Sequence, residues 1–107
     1  MMTKTDKHQY FFEVEVNRTT GRKGLLAAKD VKGDIEIATA SEFTGGIPDI
    51  WAPEHLFLGS ICSGFMTAYL GAAEKKEIAI GKLSCSAIGQ INLYDNHLEF
   101  TTINLYP

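Results

Sequence analysis

From Tyr10 to Val16 the order YFFEVEV alternates, placing Phe12, Val14 and Val16 on one face and Glu13 and Glu15 on the other. A period of two is the mark of a half-buried strand. The polar stretch NRTTGRKG, Asn17 to Gly24, reads as a turn. Beyond it, Leu25 to Asp30 and Ile35 to Ala40 form two further strand patterns joined at Lys32-Gly33-Asp34. The chain therefore opens with a three-stranded antiparallel meander.

Ser41 to Ala52 (SEFTGGIPDIWA) carries Gly45-Gly46 and Pro48 and reads as a connecting loop. Pro53 sits where a first helical position tolerates a missing N–H, so a helix is expected from Pro53 to about Lys75. Leu56, Phe57, Leu58, Ile61, Phe65, Met66, Ala68, Tyr69 and Leu70 occupy every side of it, and a helix apolar all round must be covered all round. The stretch Leu56 to Ala73 is about as long as a membrane span, but Ser60, Ser63, Thr67 and three glycines favour a buried helix in a protein that does not enter the membrane. One meander covers one side only, so a second layer or a second subunit must cover the other. Gly59, Ser60, Ser63, Gly64 and Gly71 weaken the helix by up to about 1 kcal/mol per glycine, which suggests that another backbone approaches closely. A two-fold helix contact in a homodimer fits. After Glu74 to Glu77 the strand pattern returns, with Ile78 to Tyr94 and His97 to Tyr106 flanking an Asp95-Asn96 turn; Leu83, Cys85 and Ala87 share an inward face.

At 107 residues and 45% apolar content the chain fits one domain, residues 1–107. The net charge of −3, with basic residues spread from Lys4 to Lys82, lacks the footprint of a nucleic-acid binder. The polar N-terminus MMTKTDKHQY has no apolar signal core, so a cytoplasmic location is expected. Cys62 and Cys85 match no zinc motif, and no His, Asp or Glu spacing suggests a metal site. In a reducing compartment they are core fillers or reactive thiols, not a structural disulfide. His55 and Cys62 lie about 10 Å apart along the helix, too far for a thiol–imidazole pair.

The pattern F-x-G-G, a short loop, then P-E-x-L-F and a glycine- and serine-bearing apolar helix resembles the signature of the OsmC and organic-hydroperoxide-resistance family at Phe43, Gly45, Gly46, Pro53, Glu54, Leu56 and Phe57. The resemblance implies an α+β fold, an antiparallel sheet wrapped on a central helix in an intertwined homodimer. The family's second helix and last strand have no counterpart in this chain. It also implies thiol-dependent reduction of organic hydroperoxides or hydrogen peroxide in oxidative-stress defence, with a thiol reductant and no cofactor. The catalytic roles carry over to Arg22 in the Gly21–Gly24 turn, with Arg18 nearby, and to Glu54 at the helix start. A guanidinium beside the thiolate favours the nucleophile, and the carboxylate orients the guanidinium. The family's nucleophile aligns with Gly64, whereas this chain has Cys62, and two residues turn a helix by about 200°. Cys62 is thus a displaced candidate nucleophile, and Cys85 does not occupy the family's resolving position. Two alternatives stand beside the peroxidase: a family member without cysteine chemistry that acts as a binding or structural homodimer, and a hot-dog thioesterase with Glu54 as its acid.

Overall fold

A computed structural model describes residues 8–94 and 97–106. The chain forms two compact units, the first running to Pro53 and the second starting at Glu54.

The first unit is the expected meander, with strands β1 (Val14–Arg18), β2 (Lys23–Ala28) and β3 (Ile35–Ala38) in the order β1-β2-β3. All pairing is antiparallel, with Val14 opposite Ala28, Arg18 opposite Gly24, Lys23 opposite Ala38 and Leu26 opposite Ile35. The first strand begins later than its alternation suggests. Tyr10 to Glu13 lie outside it because β2 ends at Ala28 and the chain turns away through Asp30, whose φ is 73°. Lys29 N–H to Glu13 O, at 3.0 Å, is the last backbone bond on that side. The half-buried face expected for β1 is not formed within one chain, since Phe12 is 95% exposed and Val14 and Val16 are more than half exposed. Among the described residues, β1 is an edge strand with β2 as its neighbour.

The loop after β3 is anchored, not loose. Trp51 returns beside Ile37 as a parallel bridge, and Ala38 N–H donates to Trp51 O at 2.9 Å. Small side chains permit this approach, and Ala38, Ala40 and Ala52 form the buried centre of the unit.

In the second unit, helix α1 (Pro53–Lys75) is followed by the hairpin of β4 (Ser86–Tyr94) and β5 (His97–Tyr106). The helix matches its expected span. Ile78 to Cys85, expected as strand, carries no ladder among the described residues, and the pairing of β4 begins at Ser86 opposite Tyr106. The Asp95-Asn96 turn falls outside the described residues. A β-bulge lies at Gln90/Ile91: Gln90 pairs with Thr102 and Ile91 with Phe100, leaving Thr101 as the extra residue. Its hydroxyl is 3.4 Å from Gln90 O and 3.0 Å from Asn92 Oδ1. Helix and hairpin meet where the Phe57 and Phe100 rings pack with centroids 4.9 Å apart. Gly89 lies beneath that contact, where a Cβ would come within 2.7 Å of Phe100 Cε1 and 3.0 Å of Leu58 Cδ2.

The expectation of a helix buried on all sides is not met within one chain, because Ala73 alone of its 23 residues is buried. By length and composition the helix could cross a membrane, with a mean hydropathy of 1.5 over its most apolar window. The backbone expected close to its glycines is not found among the described residues, where nothing lies within 4 Å of a Cβ built at Gly59, Gly64 or Gly71. Ser60 donates to Phe57 O at 2.7 Å, Ser63 to Ser60 O at 3.4 Å and Thr67 to Gly64 O at 3.2 Å, so these hydroxyls bond back to their own helix.

Candidate functional site

The two early arginines have different surroundings. Arg18 Nε donates to Gly21 O at 2.8 Å and closes the β1–β2 turn, where Gly21 has a φ of 56°. The same turn is held by Thr19 N–H to Lys23 O and Lys23 N–H to Thr20 O, both 3.0 Å. Arg22 instead sends its guanidinium to the two-glycine loop, where a Cβ at Gly45 would lie 3.1 Å from Arg22 Cζ and 3.2 Å from its Nε. Gly45 also has a φ of 80°, a conformation that L side chains rarely adopt. At Gly46 a Cβ would overlap the Ala40 carbonyl oxygen and come within 2.6 Å of its carbon. The loop is closed there by Phe43 N–H to Ala40 O, Gly46 N–H to Phe43 O and Ile47 N–H to Thr39 O, at 2.9–3.0 Å. The F-x-G-G pattern thus has a steric meaning: one glycine admits the Arg22 side chain, and the other lets two backbone segments touch.

Glu54 occupies the first turn of α1, where the helix dipole favours a carboxylate. Its Oε1 is buried and has no hydrogen-bond partner, which is costly for a charged oxygen. Arg22 belongs to the first unit and Glu54 to the second.

Cys62 and Cys85 are both free thiols and both half-buried. Cys62 stands one helical turn after Leu58, the residue that meets Gly89 at the hairpin. Gly64, where the resemblance puts the nucleophile, is exposed with open space around it. Leu83, Cys85 and Ala87 are half-buried while Ser84 and Ser86 are exposed, so the inward face read from the sequence holds even though residues 83–85 are irregular. The Cys85 thiol is raised above its usual pKa, first by partial desolvation, then by a hydrogen-bonding interaction with Cys62 and by the charge of that thiolate. Cys62 is thus near enough to Cys85 to influence its titration. This proximity was missed in the sequence, where the residues fall on different elements and only a long-range contact joins them.

His97 lies 3.3 Å from Glu99, both well exposed, as expected of a solvated residue near a hairpin end.

No family model matches the sequence, and no curated protein matches it. Among solved structures, this chain is similar to the crystal structure of an organic hydroperoxide resistance protein from Elizabethkingia anophelis with crystallant-derived thiocyanate bound. The superposition has a TM-score of 0.71 at 20% sequence identity and covers 94% of this chain and 70% of that one. The protein thus has the α+β fold of an organic hydroperoxide resistance protein, with one helix and antiparallel sheets.

Proposed function

We propose that the protein is a thiol-dependent peroxidase acting on organic hydroperoxides or hydrogen peroxide, with Cys62 as nucleophile and Arg22 and Glu54 in support. The observation that carries the reading is the buried, unpartnered Oε1 of Glu54 at the start of α1. A carboxylate left in that condition calls for a cationic donor, and a guanidinium supplies paired N–H groups of matching geometry. Arg18 is engaged in its own turn, and Arg22 is the guanidinium that this reading assigns to the chemistry. In the reaction, the Cys62 thiolate attacks a peroxide oxygen and the O–O bond breaks. The sulfur becomes a sulfenic acid, and the departing alkoxide leaves as the alcohol after taking a proton. A thiol reductant restores Cys62.

The active form in this reading is a homodimer in the cytoplasm, one domain per subunit. The partner supplies cover for the apolar, glycine-bearing faces of α1 and for Phe12, Val14 and Val16. A second reading, a non-catalytic homodimer, is favoured by one observation: Gly64 is open while Cys62 sits about 200° away around the helix.

Intact mass of the reduced protein after one equivalent of cumene hydroperoxide, with peptide mapping, separates the two. The peroxidase oxidises Cys62 rapidly, and Arg22→Ala slows the step on the order of a hundredfold, as does loss of one preorganised donor elsewhere. Oxidation of Cys62 no faster than that of free cysteine leaves only the non-catalytic homodimer.

A further inference from the structure

Arg22 and Gly45 meet within the first unit, and the geometry of their contact is specific. A Cβ built at Gly45 lies 3.1 Å from Arg22 Cζ, 3.2 Å from its Nε and 3.2 Å from its Nη2. A point beyond the edge of the planar group would be nearer to a nitrogen than to the central carbon. Here the carbon is nearest, so the point stands above the face. The guanidinium therefore lies flat on the side of Gly45 where a side chain would stand, a contact suited to a planar, weakly hydrated cation. Its N–H groups lie in the plane of the group, so stacking by the face leaves the whole donor edge open. Among the described residues no hydrogen bond or ion pair occupies that edge, whereas Arg18 engages its Nε with Gly21 O.

Both sides of the contact are held by backbone. Gly45 lies between Phe43 and Gly46 in a β-turn closed by Gly46 N–H to Phe43 O at 2.9 Å. Its φ of 80° is the value that a type II turn requires at this place, and glycine or asparagine meets it. Arg22 leaves a turn fixed by Thr19 N–H to Lys23 O and Lys23 N–H to Thr20 O, both 3.0 Å. The seat is thus rigid, and the long Arg22 side chain is the part that must give way when the seat is filled.

We propose that Gly45 is the positioning residue of Arg22: the missing side chain is the seat on which the guanidinium lies, and it fixes where the donor edge points. The consequence for hydroperoxide reduction rests on the peroxidase reading, but the seat itself does not. A Cβ at this position must push the guanidinium back by about half an ångström to reach ordinary carbon–carbon separation. Donors that act on a reacting oxygen tolerate little more than that, so the displacement should slow the reaction on the order of tenfold.

The test compares Gly45→Asn, which keeps the turn and adds the Cβ, with Gly33→Asn. Gly33 has a φ of 89° and nothing within 4 Å of a built Cβ, so it carries the same backbone demand without the contact. Two readouts are taken on the reduced full chain: the heteronuclear NOE of the Arg22 Nε–H signal, identified by its loss in Arg22→Ala, and kcat/KM for cumene hydroperoxide with dithiothreitol as reductant. The expected result is an ordered Nε–H in the parent and in Gly33→Asn, a mobile one in Gly45→Asn, and a tenfold fall in kcat/KM in Gly45→Asn alone. Added to Arg22→Ala, the Gly45→Asn change should slow the enzyme no further, because its effect passes through the guanidinium. The same fall in both backgrounds, or an Nε–H as mobile in the parent as in Gly45→Asn, overturns the proposal. The expected NMR pattern in a parent that consumes no hydroperoxide upholds the seat and sinks the peroxidase reading.

Discussion

The substitution Gly46→Ala probes the two-glycine loop most directly. A methyl group there would overlap the Ala40 carbonyl oxygen and sit 2.6 Å from the carbonyl carbon, both rigid backbone atoms. No side-chain rotation relieves this, so the loop must open. Opening it breaks three backbone bonds: Phe43 N–H to Ala40 O, Gly46 N–H to Phe43 O and Ile47 N–H to Thr39 O. At about 1 kcal/mol net for each, the loss is about 3 kcal/mol. In a domain of this size that corresponds to a fall in Tm of roughly 10 to 20 °C. The assay is thermal and urea denaturation at one fixed protein concentration, since association shifts the apparent stability. Gly81→Ala is the control, because nothing lies within 4 Å of a Cβ there. It should remain within about 0.5 kcal/mol of the parent. If Gly46→Ala is equally mild, the loop does not close as described and the placement of Arg22 against it loses its support.

Arg18→Ala removes the 2.8 Å bond to Gly21 O and should cost about 1 kcal/mol in denaturation while leaving hydroperoxide reduction unchanged, in contrast to Arg22→Ala. Gly89→Ala forces a methyl toward Phe100 and Leu58; overpacking of this kind costs about 1–3 kcal/mol and should be visible as a lower urea midpoint. Because Cys85 holds its proton above the usual thiol range, its iodoacetamide labelling at pH 7 should be slower than that of free cysteine. Its folded-state pKa is raised, so its contribution to stability is intact below about pH 8.5 and is lost as pH climbs beyond it; the reduced parent should lose Tm more steeply there than Cys85→Ser.

Helix α1 and strand β5 were legible in the sequence over their full spans because local signals bound them: Pro53 opens the helix, and β5 follows the Asp95-Asn96 pair with inward apolar positions on either side of its bulge. The first and fourth strands were not, because alternation is a local property and a ladder is not. Phe12 continues the pattern of Val14 and Val16, yet β2 has turned away by Asp30. Residues 78–85 read as strand, yet among the described residues the ladder of β4 begins only at Ser86. At the candidate site, the resemblance pointed to Arg22, with Arg18 on the same turn. The surroundings of the two were not legible: the Arg18 Nε bond to Gly21 O and the packing of Arg22 against Gly45 depend on how the turn and the two-glycine loop fold. The neighbourhood of Cys62 and Cys85 had no local signal at all.

The hydroxyls of Ser60, Ser63 and Thr67 all turn back to carbonyls of their own helix. The exposed side of α1 therefore offers water few open donors, although it carries three hydroxyl residues. A surface covering it meets hydroxyl oxygens that still accept but few free donors, so shape weighs more than matched acceptors. A surface laid on that side of the helix would have to follow the gaps left by Gly64 and Gly71, and a change of one methyl group there would be a change in fit rather than in chemistry.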